Sequence, residues 1–156
     1  MRRDWEGFSL PELITVLAIV GILAAAATAR WDNNAGIDEI GFTDRTLAAL
    51  RLAQRRALAD RCEVRISVSA TGIQVDQRTT LCSGGFGLAV AGTAGAGSTL
   101  TTTPPAGLSV AASPSVFYFD ATGAVRAAPG GALTDVSLSI GARQIQVIGA
   151  TGHASL

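Results

Sequence analysis

Apolar positions change their spacing along this chain, from continuous to helical to alternating. From Phe8 to Ala29 only Glu12 is charged, and the 22 residues of that run would rise about 33 Å as a helix, against a bilayer hydrocarbon core of about 30 Å. Pro11 falls in the first turn, where its missing N–H would have had no partner, and Ser9 is placed to cap. Arg2 and Arg3 precede the run and Arg30 follows it. That weak bias, diluted by Asp4 and Glu6, orients the amino terminus toward the cytoplasm. After a polar break, RWDNNAG (30–36), apolar residues recur at Ile37, Ile40, Leu47, Leu50 and Ala57, with Thr43 and Ala53 filling three- and four-residue steps. This predicts an amphipathic helix ending near Asp60, its seam on a globular body and Arg45, Arg51, Arg55 and Arg56 toward solvent.

Beyond Asp60 the period becomes two. EVRISVSA (63–70) alternates on Val64, Ile66 and Val68, and GIQVDQR (72–78) follows a Thr71–Gly72 turn, so a hairpin is predicted. SVFYFDA (115–121), AVRA (124–127), DVSLSIG (135–141) and RQIQVIG (143–149) are further strands bounded by Gly, Pro or Asp turns. Between them, 83–114 is rich in Gly, Ala, Thr and Pro, and reads as a long loop with one or two short strands.

Size and charge narrow the function. The 156 residues suit one modest domain plus an extension. Twelve acids balance twelve bases, all arginine, so no global field draws the chain to nucleic acid or a charged membrane surface. Cys62 and Cys82 would close a loop of about 20 residues, contributing roughly 3 kcal/mol if bonded. Export behind the apolar run favours the bond, and the alternative is two buried free thiols. The sole histidine, His153, stands three residues from the end on a tail, a poor place for a catalytic triad. No catalytic residue, cofactor or metal set is expected, since two cysteines and one distant histidine fit no compact ligand spacing. GTAGAGST (92–99) has P-loop glycine spacing, but Ser98 stands where the lysine is needed. Asp120 in DATG reads as an Asx turn rather than a cation ligand. The helix arginines form an anion-binding candidate offset by Asp44 and Asp60.

Three readings of the apolar run compete. A removable secretory signal would use Ala27-Thr28-Ala29 as its cleavage site, with Leu13–Leu23 as the apolar region. A plain anchor explains the length but leaves Glu12 an insertion cost of about 1–3 kcal/mol with no return. A processed assembly helix gives the carboxylate a purpose.

The stretch GFSLPELITVLAIVGILAAAA resembles the class III signal of type IV pilins and type II secretion pseudopilins, in which a short charged leader ends in Gly, Phe follows, and Glu stands fifth after the cut. Here these are Gly7, Phe8 and Glu12. The later stretches LAALRLAQRRALADRCEVRISV (47–68), FYFDATGAV (117–125) and RQIQVIGATGHASL (143–156) are similar to the GspH/FimT-type subgroup of minor pilins and pseudopilins. The resemblance implies an α+β, type IV pilin-like fold: a long amino-terminal helix, transmembrane in its first half, packed on an antiparallel β-sheet or β-sandwich head. The expected division is leader 1–7, transmembrane and assembly helix 8–30, amphipathic second half 31–60 and periplasmic head 61–156. It also implies a prepilin peptidase that cuts after Gly7 and methylates Phe8, and an assembly contact from Glu12 to a neighbour's new amine. The implied partners are other pilins and an inner-membrane assembly platform, the implied location the bacterial inner membrane and then a filament. Some members of the subgroup bind DNA through basic carboxy-terminal residues. Candidate contacts here are Arg126, Arg143 and His153, the last standing where members commonly carry Arg or Lys.

Overall fold

The computed structural model describes residues 9–31, 35–80, 82–91 and 100–156, with the backbone alone for 26–31 and 35. The chain falls into two compact units, Met1–Gly36 and Ile37–Leu156.

The first unit contains helix α1, Leu10–Trp31. Its start is set where expected, since the Ser9 carbonyl accepts from the N–H groups of Glu12 and Leu13 at 3.0 and 3.2 Å, and Pro11 occupies the first turn.

The second unit takes in helix α2, Ala35–Asp60, from Ile37 onward, followed among the described residues by nine strands. These are β1 (Val64–Ser69), β2 (Gly72–Thr80), β3 (Ser83–Ala89), β4 (Val110–Ser113), β5 (Val116–Phe119), β6 (Val125–Arg126), β7 (Val136–Ile140), β8 (Arg143–Val147) and β9 (Ala154–Ser155). They form two antiparallel sheets, ordered β3-β2-β1-β5-β6 and β4-β7-β8-β9.

One apolar core joins α2 to both sheets. Leu47, Leu50, Ala53 and Ala57 from the helix meet Ile66, Val75, Phe117 and Phe119 from the first sheet and Leu138, Ile140, Ile145 and Val147 from the second. Burying each large aliphatic or aromatic side chain contributes about 1.5–3 kcal/mol relative to leaving it in water. The period-two strands put these residues on one face, as in β1, where Val64, Ile66 and Val68 are buried and Ser69 is exposed.

The structure differs from the sequence pattern in several places. Ile37 and Ile40, read as part of the seam, are exposed at 68% and 43%, while Phe42 and Thr46 are buried. Between Ile37 and Ile40, Glu39 Oε1 accepts from the Ala142 N–H at 3.0 Å in the β7–β8 turn, so the helix meets the head here through a polar contact and not through the isoleucines. The β1–β2 turn falls on Ala70–Thr71. Gly72 pairs with Ser69 as the first residue of β2, and a Cβ on it would collide with the Thr102 carbonyl. The 83–114 stretch agrees with expectation, carrying strands β3 and β4 among its described residues, with 92–99 outside them. The tail is tied down as β9, with Ala154 buried and paired to Val147.

Helix α2 ends in an αL cap. Arg61 takes φ 52°, and the Cys62 N–H donates back to the Ala57 carbonyl at 3.2 Å, which satisfies one of the helix's terminal carbonyls. Cys62 is bonded to Cys82, with Cα atoms 4.9 Å apart. This fastens the chain entering β3 to the junction of α2 and β1.

Candidate functional site

Leu10, Leu13, Ile14, Val16, Leu17, Ile19, Val20, Ile22 and Leu23 of α1 are between 48% and 74% exposed. They lie all around the helix rather than on one stripe, and a helix apolar on every side is one that other molecules or lipid must cover. Glu12 stands exposed among them near the helix start. One turn later the Thr15 hydroxyl donates to its carbonyl at 2.9 Å. Among the described residues no helix is long and apolar enough to cross a membrane. The described side chains of α1 stop at Ala25, so part of the expected span lies beyond them. Gly7 and Phe8, the expected cleavage and methylation positions, lie outside the described residues, as does the GTAGAGST stretch.

On the head, Asp120 builds a turn. Its Oδ1 accepts from the Thr122 N–H, the Thr122 hydroxyl and the Ala124 N–H at 2.8, 2.6 and 3.1 Å, and Oδ2 from Arg126 Nε at 2.6 Å. Burial acts to raise the carboxyl's pKa. The hydrogen bonds from Thr122, Arg126 and the Ala124 backbone outweigh it and hold the group below the ordinary aspartate value. Both oxygens are committed, which is the geometry of an Asx turn. Among the described residues no group of three His, Cys, Asp or Glu side chains could hold a metal.

Two of the three candidate DNA contacts, Arg143 and His153, lie apart, and the third is engaged within the head. Arg126 is held by Asp120 and donates its Nη1 to the Gly131 carbonyl at 2.6 Å. Arg143 begins β8, opposite Ile140, and His153 precedes Ala154, which pairs with Val147 at the other end of that strand. Four residues of strand separate Arg143 from that end, about 13 Å.

Three polar side chains of α2 hold the head's main chain: Gln54 and Glu39, which the pattern did not single out, and Arg51, which was expected toward solvent and is exposed but reaches back to the head. Gln54 Nε2 donates to the carbonyls of Gly123 and Thr151 at 3.0 and 2.7 Å, Arg51 Nη2 to that of Ala154 at 3.2 Å, and Glu39 accepts from Ala142. A half-buried glutamine at a helix position between apolar ones was the only signal. A cleft of about 350 Å³ lies between the last turn of α2 and strands β2 and β3, lined by Arg56, Asp60, Cys62, Gln77, Thr79 and Leu88. Arg56 and Asp60, one turn apart on α2, neutralise each other along the cleft's helical wall at 2.6 Å.

A helix packed on antiparallel sheets has a counterpart among solved structures. The crystal structure of the type IV minor pilin FimU from Pseudomonas aeruginosa matches this chain with a TM-score of 0.54, covering 79% of this chain and 90% of that one at 15% identity. The fold is pilin-like. No family model and no curated protein matches the sequence.

Proposed function

We propose that this chain is a minor pilin or pseudopilin: a non-enzymatic subunit of a type IV pilus or type II secretion pseudopilus, assembled through its amino-terminal helix. The observation that carries the reading is the pairing of a pilin-like head with a helix whose large aliphatic side chains are exposed on all sides and interrupted by one carboxylate. Before assembly the helix rests in the inner membrane with the head in the periplasm. A prepilin peptidase cuts between Gly7 and Phe8 and methylates the new amine. In the filament, Glu12 faces that amine on a neighbouring subunit and so sets axial register, because opposite charges in a low-dielectric bundle strongly prefer to meet.

Mass spectrometry of the mature amino terminus tests the processing. A chain beginning at methylated Phe8 supports the reading. One beginning at Arg30 means an ordinary signal peptide and a secreted β-rich protein, and overturns it. The engagement of Arg126 by Asp120 and the distance between Arg143 and His153 lend no support to a DNA-binding reading.

A further inference from the structure

The outward face of the five-stranded sheet carries chemistry that assembly through α1 does not use. One row of residues crosses it in register, Asp76–Arg65–Tyr118–Arg126 on β2, β1, β5 and β6. Phe86, on the edge strand β3, sits three strands from Tyr118, about 14 Å by strand spacing. Yet their ring centres are 5.3 Å apart, so the two rings reach toward each other over the sheet. The guanidinium carbons of Arg65 and Arg78 lie 5.3 and 4.5 Å from the centre of the Phe86 ring. Each arginine on this face is fixed by a carboxylate: Arg65 by Asp76, Arg78 by Glu63, Arg126 by Asp120. Gln74 is held in turn by Asp76. The Tyr118 hydroxyl has no hydrogen-bond partner among the described residues.

Charge and area choose the occupant. Three arginines against three carboxylates leave the face neutral, so it lacks the surplus cations from which polyanion binding draws its affinity. The patch measures on the order of 250 Å², well short of the roughly 800 Å² per partner of a stable protein interface. What is left is a platform of aromatic rings beside rigid, planar, charge-compensated hydrogen-bonding groups. Such a platform matches a ligand with apolar C–H faces and many hydroxyls. We propose that this face binds a short neutral glycan built of hexose units. The sugar faces lie on Phe86 and Tyr118, while Gln74, Arg65, Arg126 and the Tyr118 hydroxyl engage the sugar hydroxyls.

Tyr118 is the chain's single tyrosine, so ring-13C-tyrosine labelling of the full chain gives one reporter on the face itself. The protein is held in a detergent without a sugar headgroup and titrated with maltohexaose, cellohexaose, chitohexaose and, as a polyanion, hexathymidylate. The expected result is a saturable shift of the Tyr118 ring signals with at least one neutral hexaose, unchanged by added salt. Affinity should fall at least about tenfold in Phe86→Ala, which removes a ring. Val116→Arg should give the same loss, and its position is already 39% exposed beside Tyr118, so it tests the face even if β3 loosens in the first variant. No saturable shift with any hexaose overturns the proposal. So does a response to hexathymidylate alone, or an affinity that both folded variants retain.

Discussion

At the scale of single residues, two positions carry local energies that can be measured. Arg61 holds the left-handed conformation at the end of α2 with a φ of 52°, which costs a residue with a Cβ about 1 kcal/mol and a glycine almost nothing. Arg61→Gly is therefore expected to stabilise the head by about 0.5–1 kcal/mol, read as a rise in the urea midpoint at unchanged slope. Asp120 works in the other direction. Its carboxyl is held below the ordinary value of 3.8, so the folded state binds its proton more weakly than the unfolded chain does. The stabilisation is complete above the unfolded value and is lost as pH falls through the folded one. Asp120→Asn should cost about 1.5–3 kcal/mol at neutral pH, the range for hydrogen bonds to a charged group. The gap between variant and parent should narrow below about pH 5, and a gap constant down to strongly acidic pH would contradict the assignment. The Asx role of Asp120 was legible in DATG, because the side chain, the following Thr and the Gly are adjacent in sequence. The engagement of Arg126 by the same carboxylate was not, since it depends on β5 and β6 pairing.

At the scale of elements, α2 is fastened to the head by Gln54, which bridges the Gly123 and Thr151 carbonyls. The turn carrying Thr151 closes with Gly152, and a Cβ there would press on the Gly123 carbonyl and the Gln54 amide. Gly130 supplies the control, because it has the same φ of 64° and nothing within 4 Å of its own added Cβ. Gly130→Ala should cost only the backbone penalty of about 1 kcal/mol. Gly152→Ala adds the loss of a partly buried hydrogen-bonded clasp and should cost about 2–4 kcal/mol. Thermal unfolding of the two proteins checks the difference, and equal losses would mean that the clasp carries no energy. Helix and strand identities were legible because period and turn residues are local properties. The end of α2 near Asp60 and the strands at 64–69, 116–119, 136–140 and 143–147 lie where alternation and turn chemistry put them. The split into two sheets was not legible, since β4 joins β7 and β1 joins β5 through pairings between residues far apart in the chain. The same distance hid the outward aromatic pair, for nothing near Phe86 in the sequence announces Tyr118.

At the scale of the molecule, the question is what covers α1. A head whose core is closed by its own α2 and two sheets has its own stability, whereas α1 presents aliphatic side chains that water solvates poorly. A membrane or a bundle of like helices would each satisfy them, and only the bundle gives Glu12 a use. Within lipid the carboxylate is a cost of about 1–3 kcal/mol. In the proposed filament it meets a charge created when the leader is cut, and removing one member of a buried ion pair costs about 3–5 kcal/mol. Glu12→Ala thus has opposite consequences in the two settings. It should leave membrane insertion intact or slightly improved, and it should sharply reduce the share of the chain in sheared filaments. Immunoblots of the inner-membrane and filament fractions measure both at once. Loss from both fractions would point to failed folding or export. Normal incorporation into filaments would remove Glu12 from the assembly contact, leaving the carboxylate in the apolar helix without a role.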